Sequence, residues 1–270
     1  MSKPSPKQPF FDTSQWISAP GYSFLQPMVE RISGITQLND FHQEAGPVSG
    51  ETTEFASQAL RYLGVSWRLD AAQLPERDGR GWLVLGNHPT GLIEALVMFT
   101  LLERIALDDW ALLGNVFVAS KPEFASRAIA LDPFNKGGGR RVNASGFRRA
   151  AKLLRSGGVV GAFPAGRVSG KLDRQGRAID QAWSLHFVKL ARATGAHILL
   201  AGMPWKPGLA LRCFPPSWPS ARALLLPREA LRVCQREQVV RLRPAPTKLD
   251  PDARIATGQL QNFCHELHES

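Results

Sequence analysis

Apolar positions along this chain fall either into short unbroken runs or into stretches spaced three and four apart, which predicts strands alternating with helices. The clearest runs are 82–85, 159–163 and 196–201, each short, apolar and bounded by glycine or proline, as buried strands are. Helical spacing is expected over 53–63, 92–107, from a capping Asn143 to Leu154, over 181–193 and over 220–234. A strand at 115–119, an alternating strand at 238–243 and a last helix carrying Ile255, Leu260, Phe263 and Leu267 complete the pattern. Loops are expected at 46–50, at 71–81 and through the glycine-rich segment 132–141.

Strands and helices alternating at these lengths imply an α/β protein, a central mixed sheet flanked by helices, with chemistry at the loops that follow the strands. Residues 1–68 read as a helical N-terminal lead-in, 69–250 as the α/β domain and 251–270 as a C-terminal helix. With 270 residues and 44% hydrophobic content the chain can bury a substantial core. The apolar stretch 95–102 is bracketed by Glu94 and Glu103, far short of the ~20 residues that span a bilayer. The polar, proline-containing start has no apolar core of a secretory signal, so a cytoplasmic location is expected.

Charge changes the picture. The net charge is +10, and between Lys121 and Asp180 thirteen Lys/Arg face only four acids. Such a zone attracts phosphate-bearing partners, whether an anionic membrane surface, nucleic acid or a phosphorylated donor. Cys213, Cys234 and Cys264 are odd in number and widely spaced, which fits free thiols, and no histidine pattern implies a metal. The tryptophans, Trp16, Trp205 and Trp218 among them, suit either a core or an interface.

The candidate chemistry lies where the first apolar run ends. Asn87-His88-Pro89-Thr90-Gly91 is a turn, and Glu94 follows His88 by six residues. On one continuous helix that separation is about 600° and the two would not share a face. A Pro-Thr-Gly bend before the helix can fold the imidazole back toward the carboxylate, giving a general base and the group that orients it. A second turn, Phe163-Pro164-Ala165-Gly166-Arg167-Val168-Ser169, closes another strand with a charged residue and a glycine that permits close approach. Arg140 and Arg141 after three glycines suit either a phosphate cradle or a flexible basic loop at a membrane surface. Arg148, Arg149, Lys152 and Arg155 form a basic helix face that suits either solvent or a partner. No Gly-x-Ser-x-Gly elbow is present to support a serine esterase.

In combination these two blocks resemble the glycerolipid acyltransferase superfamily, whose lysophosphatidic acid acyltransferases are its familiar members. The chain is more similar to the hemolysin-like and lyso-ornithine-lipid acyltransferase branch, with its Asn-His-Pro turn, one extra residue before the acid and a Phe-Pro-Ala-Gly block. Asp180 and Trp183 ahead of 187–192, and Leu224-Leu225-Leu226-Pro227-Arg228-Glu229, are similar to stretches of that branch, so the resemblance spans roughly 30–245. It implies transfer of a fatty acyl group from a thioester on coenzyme A or acyl carrier protein to a lysolipid acceptor. No bound cofactor or metal is implied. His88 would be the base, Glu94 its orienter, and Asn87, Thr90, Gly91, the 163–167 block, Ser169, Arg140 and Arg141 substrate-binding residues. It further implies a peripheral position on the inner face of the cytoplasmic membrane. Four departures stand out: Ala165 where the familiar phosphate-binding block has Glu, Val168 where its Arg stands, Arg167 where the more similar branch often carries an acid, and Glu94 in place of the usual Asp. Two rival functions fit the same residues: a non-catalytic basic protein binding anionic lipid or nucleic acid, and a thioester hydrolase on the same scaffold.

Overall fold

A strand that is apolar at every position must be covered on both faces, and Trp82–Gly86 is buried throughout. The structure, a computed structural model, describes residues 9, 11–15, 22–44, 52–106, 109–132, 138–169, 171–174, 178–203, 208, 219–233 and 237–267. After a short 3₁₀ turn, Thr13–Gln15, come helices α1 (Tyr22–Ser33), α2 (Ile35–Glu44) and α3 (Thr52–Tyr62). The α/β part follows as β1 (Trp67–Ala71), β2 (Trp82–Gly86), α4 (Ile93–Ile105), β3 (Trp110–Asn115), α5 (Val116–Ala119), β4 (Ala128–Leu131), α6 (Gly139–Arg155) and β5 (Val159–Ala162). A small hairpin, β6 (Lys171–Leu172) with β7 (Ala178–Ile179), precedes α7 (His186–Thr194), β8 (His197–Gly202), α8 (Pro219–Val233), β9 (Gln238–Pro244) and α9 (Ala253–Glu266).

Seven strands form one mixed sheet in the order β1-β9-β8-β2-β5-β3-β4. All neighbours pair in parallel except β8 with β9, so β1 and β9 run against the rest. Alternation along β2 divides the core. Trp82 and Val84 join one cluster with residues of α2, α3 and α4, while Leu83 and Leu85 join the other with α6, α7 and α9. The strands β2 and β5 lie side by side at the sheet centre with Leu85 opposite Ala162, so the turns after them emerge together. That adjacency brings the two motif blocks into one place.

Several expectations are corrected. The strand expected at 115–119 lies earlier, at β3, and Val116–Ala119 is a short helix because the Asn115 side chain accepts from Val118 N at 2.9 Å and ends the strand. α6 begins at Gly139, behind Gly138 at φ +88°, so Arg140 and Arg141 belong to its first turn and not to a flexible loop. Asn143 does not cap that helix. It lies inside it, where its amide donates to Asp132 O at 3.0 Å and accepts from Asp132 N at 2.7 Å. The helix expected from residue 181 starts at His186, since Trp183 is spent on a buried contact with Asp180. Strands β1 and β4 and the β6/β7 hairpin were not anticipated from the sequence pattern. The 46–50 loop, Trp16, Trp205, Trp218, Cys213 and Cys234 lie outside the described residues.

Candidate active site

The elbow after β2 is built from its backbone outward. Asn87 is fully buried, and its amide donates to Met203 O at 2.9 Å and accepts from Met203 N at 2.8 Å, which ties the end of β2 to the end of β8. Both ends of the amide are thus engaged, and Asn87 sits behind the site without reaching its cavity. Replacing Asn87 by alanine would strand two buried backbone groups and is expected to destabilise the fold by about 2–4 kcal/mol, read as a lowered Tm.

The bend itself depends on Gly91, which has φ +94° and whose Cβ, if present, would stand 2.7 Å from Val168 Cγ2. Glu94, in the first turn of α4, reaches back into this bend with no solvent exposure. Its Oε1 accepts from Thr90 N at 2.7 Å and Gly91 N at 2.6 Å, and its Oε2 accepts from the Thr90 hydroxyl. Thr90 and Gly91 therefore shape the carboxylate's seat and stand behind the cavity wall. Burial pushes the Glu94 carboxyl up, but the adjacent His88 ring and the donors from Gly91 and Thr90 outweigh it and hold the group below its usual range.

His88 Nδ1 stands 3.0 Å from Glu94 Oε1. The approach is not aligned as a hydrogen bond, so the contact is one of charge and proximity. The imidazole stacks on Phe163 with ring centroids 4.6 Å apart and planes 21° from parallel. Phe163 belongs to a tight turn in which Gly166 N donates to Phe163 O at 3.0 Å, with Pro164 at the position where its fixed φ favours the turn. The Phe-Pro-Ala-Gly block is thereby a turn that supplies the platform for the His88 ring.

The backbone of His88 is held as firmly as its ring. Its N–H donates to Asp180 Oδ1 at 3.1 Å, and its carbonyl accepts from Ser169 N at 2.8 Å. The Ser169 hydroxyl lies within reach of both His88 O and Asp180 Oδ1, its single proton serving one at a time. Trp183 Nε1 donates to Asp180 Oδ2 at 2.9 Å, and Gln261 from α9 donates to Asp180 O. Ser169 is accordingly a buried brace of the elbow and not a cavity residue. Asp180, quoted above only for its resemblance, is the positioning residue that sequence reasoning gave no role. The signal available was a lone acid three residues before a tryptophan. In Asp180→Asn the new amide N–H₂ would face the Trp183 donor. A loss of about 1–3 kcal/mol in stability is expected, with Trp183→Phe partly restoring the melting temperature in the double variant.

His88 faces a cavity of about 570 Å³, within the size range of small-molecule sites. Of the predicted site residues, His88, Phe163, Pro164, Ala165, Gly166, Arg167 and Arg140 line it, whereas Arg141 does not. Leu113, Leu131, Phe147 and Phe187 add an apolar wall that the sequence reading did not assign. The exposed Arg140 and Arg167 put two guanidinium groups on this cavity, whose remaining lining mixes the apolar wall with Asn115, Asp132, Asn143, Ser184 and His186. Among the described residues, no group of three His, Cys, Asp or Glu could hold a metal ion.

No family model matches the chain, and no curated protein matches it. The fold is similar to the crystal structure of the 1-acyl-sn-glycerophosphate (LPA) acyltransferase, PlsC, from Thermotoga maritima, with a TM-score of 0.49 at 15% identity, covering 81% of this chain and 77% of that one.

Proposed function

We propose that this protein is an acyltransferase that moves a fatty acyl group from an acyl thioester to a lysolipid acceptor. The observation that carries this reading is the His88 ring, open to the cavity on one side and backed by the fully buried Glu94 carboxylate on the other. With Nδ1 turned to Glu94, the Nε2 edge is left for substrate. An acceptor hydroxyl or amine gives its proton to Nε2 as its oxygen or nitrogen bonds to the thioester carbonyl carbon. The C–S bond then breaks, and the imidazolium returns the proton to the departing sulfur. Glu94 balances the imidazolium while it lasts. A thioester already has a good leaving group, so a positioned base and charge stabilisation suffice, with no protein nucleophile needed.

The remaining lining fits the same substrates. Leu113, Leu131, Phe147 and Phe187 suit an acyl chain, and Arg140 and Arg167 suit the phosphates of a donor such as acyl-coenzyme A or of the acceptor head group. No helix among the described residues is long and apolar enough to cross a membrane. Helix α1, however, exposes Phe24, Leu25, Met28 and Ile32 within one arc of its surface, which suits shallow insertion into a membrane interface. A peripheral position on the inner face of the cytoplasmic membrane follows from this reading.

The test is transfer of a labelled acyl group from coenzyme A and from acyl carrier protein to a panel of lysolipids. Labelled diacyl product that rises with acceptor is the expected result. Release of free fatty acid that no acceptor suppresses would make the protein a thioester hydrolase instead.

A further inference from the structure

Helix α6 carries Arg140, Arg141, Arg148, Arg149, Lys152 and Arg155 and no acidic residue. At about 100° per residue, Arg141, Arg148, Lys152 and Arg155 fall on one stripe with Arg149 beside it. All five are exposed. Arg155 leans on Ala193 O at 3.4 Å, while among the described residues no carboxylate pairs with Arg141, Arg148, Arg149 or Lys152. Cations at 148, 152 and 155 are stacked at i,i+4 and i,i+3, an arrangement that weakens a helix until opposite charge covers it.

The other edge of the same helix lines the cavity through Arg140, Asn143, Ala144 and Phe147. A partner lying along the stripe would therefore rest beside the space that His88 faces. Position separates this surface from a membrane-facing one. α6 packs with α7 and α9 on one face of the sheet, while α2, α3 and α4 pack on the other, and α1 packs on α2. The exposed large apolar residues of α1 thus belong to the opposite layer, and α6 itself exposes none. Charge without an apolar anchor suits a water-soluble acidic protein better than a bilayer.

We propose that the α6 stripe docks an acidic acyl carrier protein, which presents its acyl thioester to the cavity from that side. This rests on the acyltransferase reading above and selects the protein-borne donor.

The test compares the wild type with R148E/R149E/K152E and with the milder R148Q/R149Q/K152Q, which guards against charge reversal disturbing the helix. Binding of a fluorescent, palmitoylated acyl carrier protein is followed by anisotropy at low and high salt. Transfer from palmitoyl-pantetheine, a small donor without phosphate or protein surface, is measured alongside. The reversed variant should bind the carrier at least about tenfold more weakly and lose the salt dependence, with the glutamine variant intermediate and pantetheine-donor transfer unchanged. Undiminished carrier binding, an equal loss with both donors, or lost binding to phosphatidylglycerol vesicles with carrier binding intact would overturn the proposal. If the wild type transfers from no donor, the acyltransferase reading fails, and the anisotropy comparison still decides the docking surface.

Discussion

His88→Ala lowers the turnover of acyl transfer by about 10²–10⁴-fold, the range associated with removing a positioned general base. The expected loss lies in kcat more than in KM, because the ring acts on the proton that moves in the transition state, while the apolar wall and Arg140 and Arg167 remain to bind substrate. The fold should survive. The His88 backbone is fixed through Asp180 and Ser169, contacts that alanine retains, and the side chain's main packing contact is the face of Phe163. A far-UV spectrum and melting curve close to wild type, beside collapsed turnover, separate loss of chemistry from loss of structure.

Glu94→Gln lowers kcat by about 10²–10⁴-fold with little change in KM, as losing the acid that orients a catalytic imidazole does. Glutamine keeps an oxygen for Thr90 N and Gly91 N, so the bend persists, but it removes the charge that balances the His88 imidazolium. Combined with His88→Ala it should add little, since the two side chains act as a unit. The same variant alters the response to acid. Glu94 is held ionised below its usual range, so the unfolded chain takes up its proton at higher pH than the native protein does. Its contribution to stability is therefore fully present above the ordinary carboxylate pKa and is lost as pH falls through the native value. The wild-type melting temperature should drop on acidification more steeply than that of Glu94→Gln.

Much of this site was legible in the sequence because its parts are local. The turn around His88 and the carboxylate six residues on sit within one strand-turn-helix unit, and Pro89 and Gly91 announce the bend. The Phe163 turn is equally local. What brings the two together is the pairing of β2 with β5, a non-local fact that a strand pattern implies without specifying. For that reason Asn87 and Ser169 read as ligand contacts in the sequence, whereas their partners, Met203 and the His88–Asp180 pair, lie far along the chain. Distance in sequence also hid Asp180, which acts through the His88 backbone N–H.

The elements that were missed have physical causes of the same kind. β1 is an edge strand in which Trp67, Leu69 and Ala71 alternate with Arg68 and Asp70, and five residues of alternation directly behind helix α3 are too few to separate from it by pattern. β4 is a four-residue edge strand. The early start of α6 was obscured by Gly137-Gly138-Gly139, which reads as loop, although Gly138 supplies the left-handed residue from which the helix begins.

The most direct test of the central claim is labelled acyl transfer to lysolipid by folded wild type and folded His88→Ala, measured side by side with the same donor. Diacyl product is expected from the wild type and almost none from the variant. Equal product from both would contradict it, because the group held between Glu94 and the cavity would then take no part in the reaction.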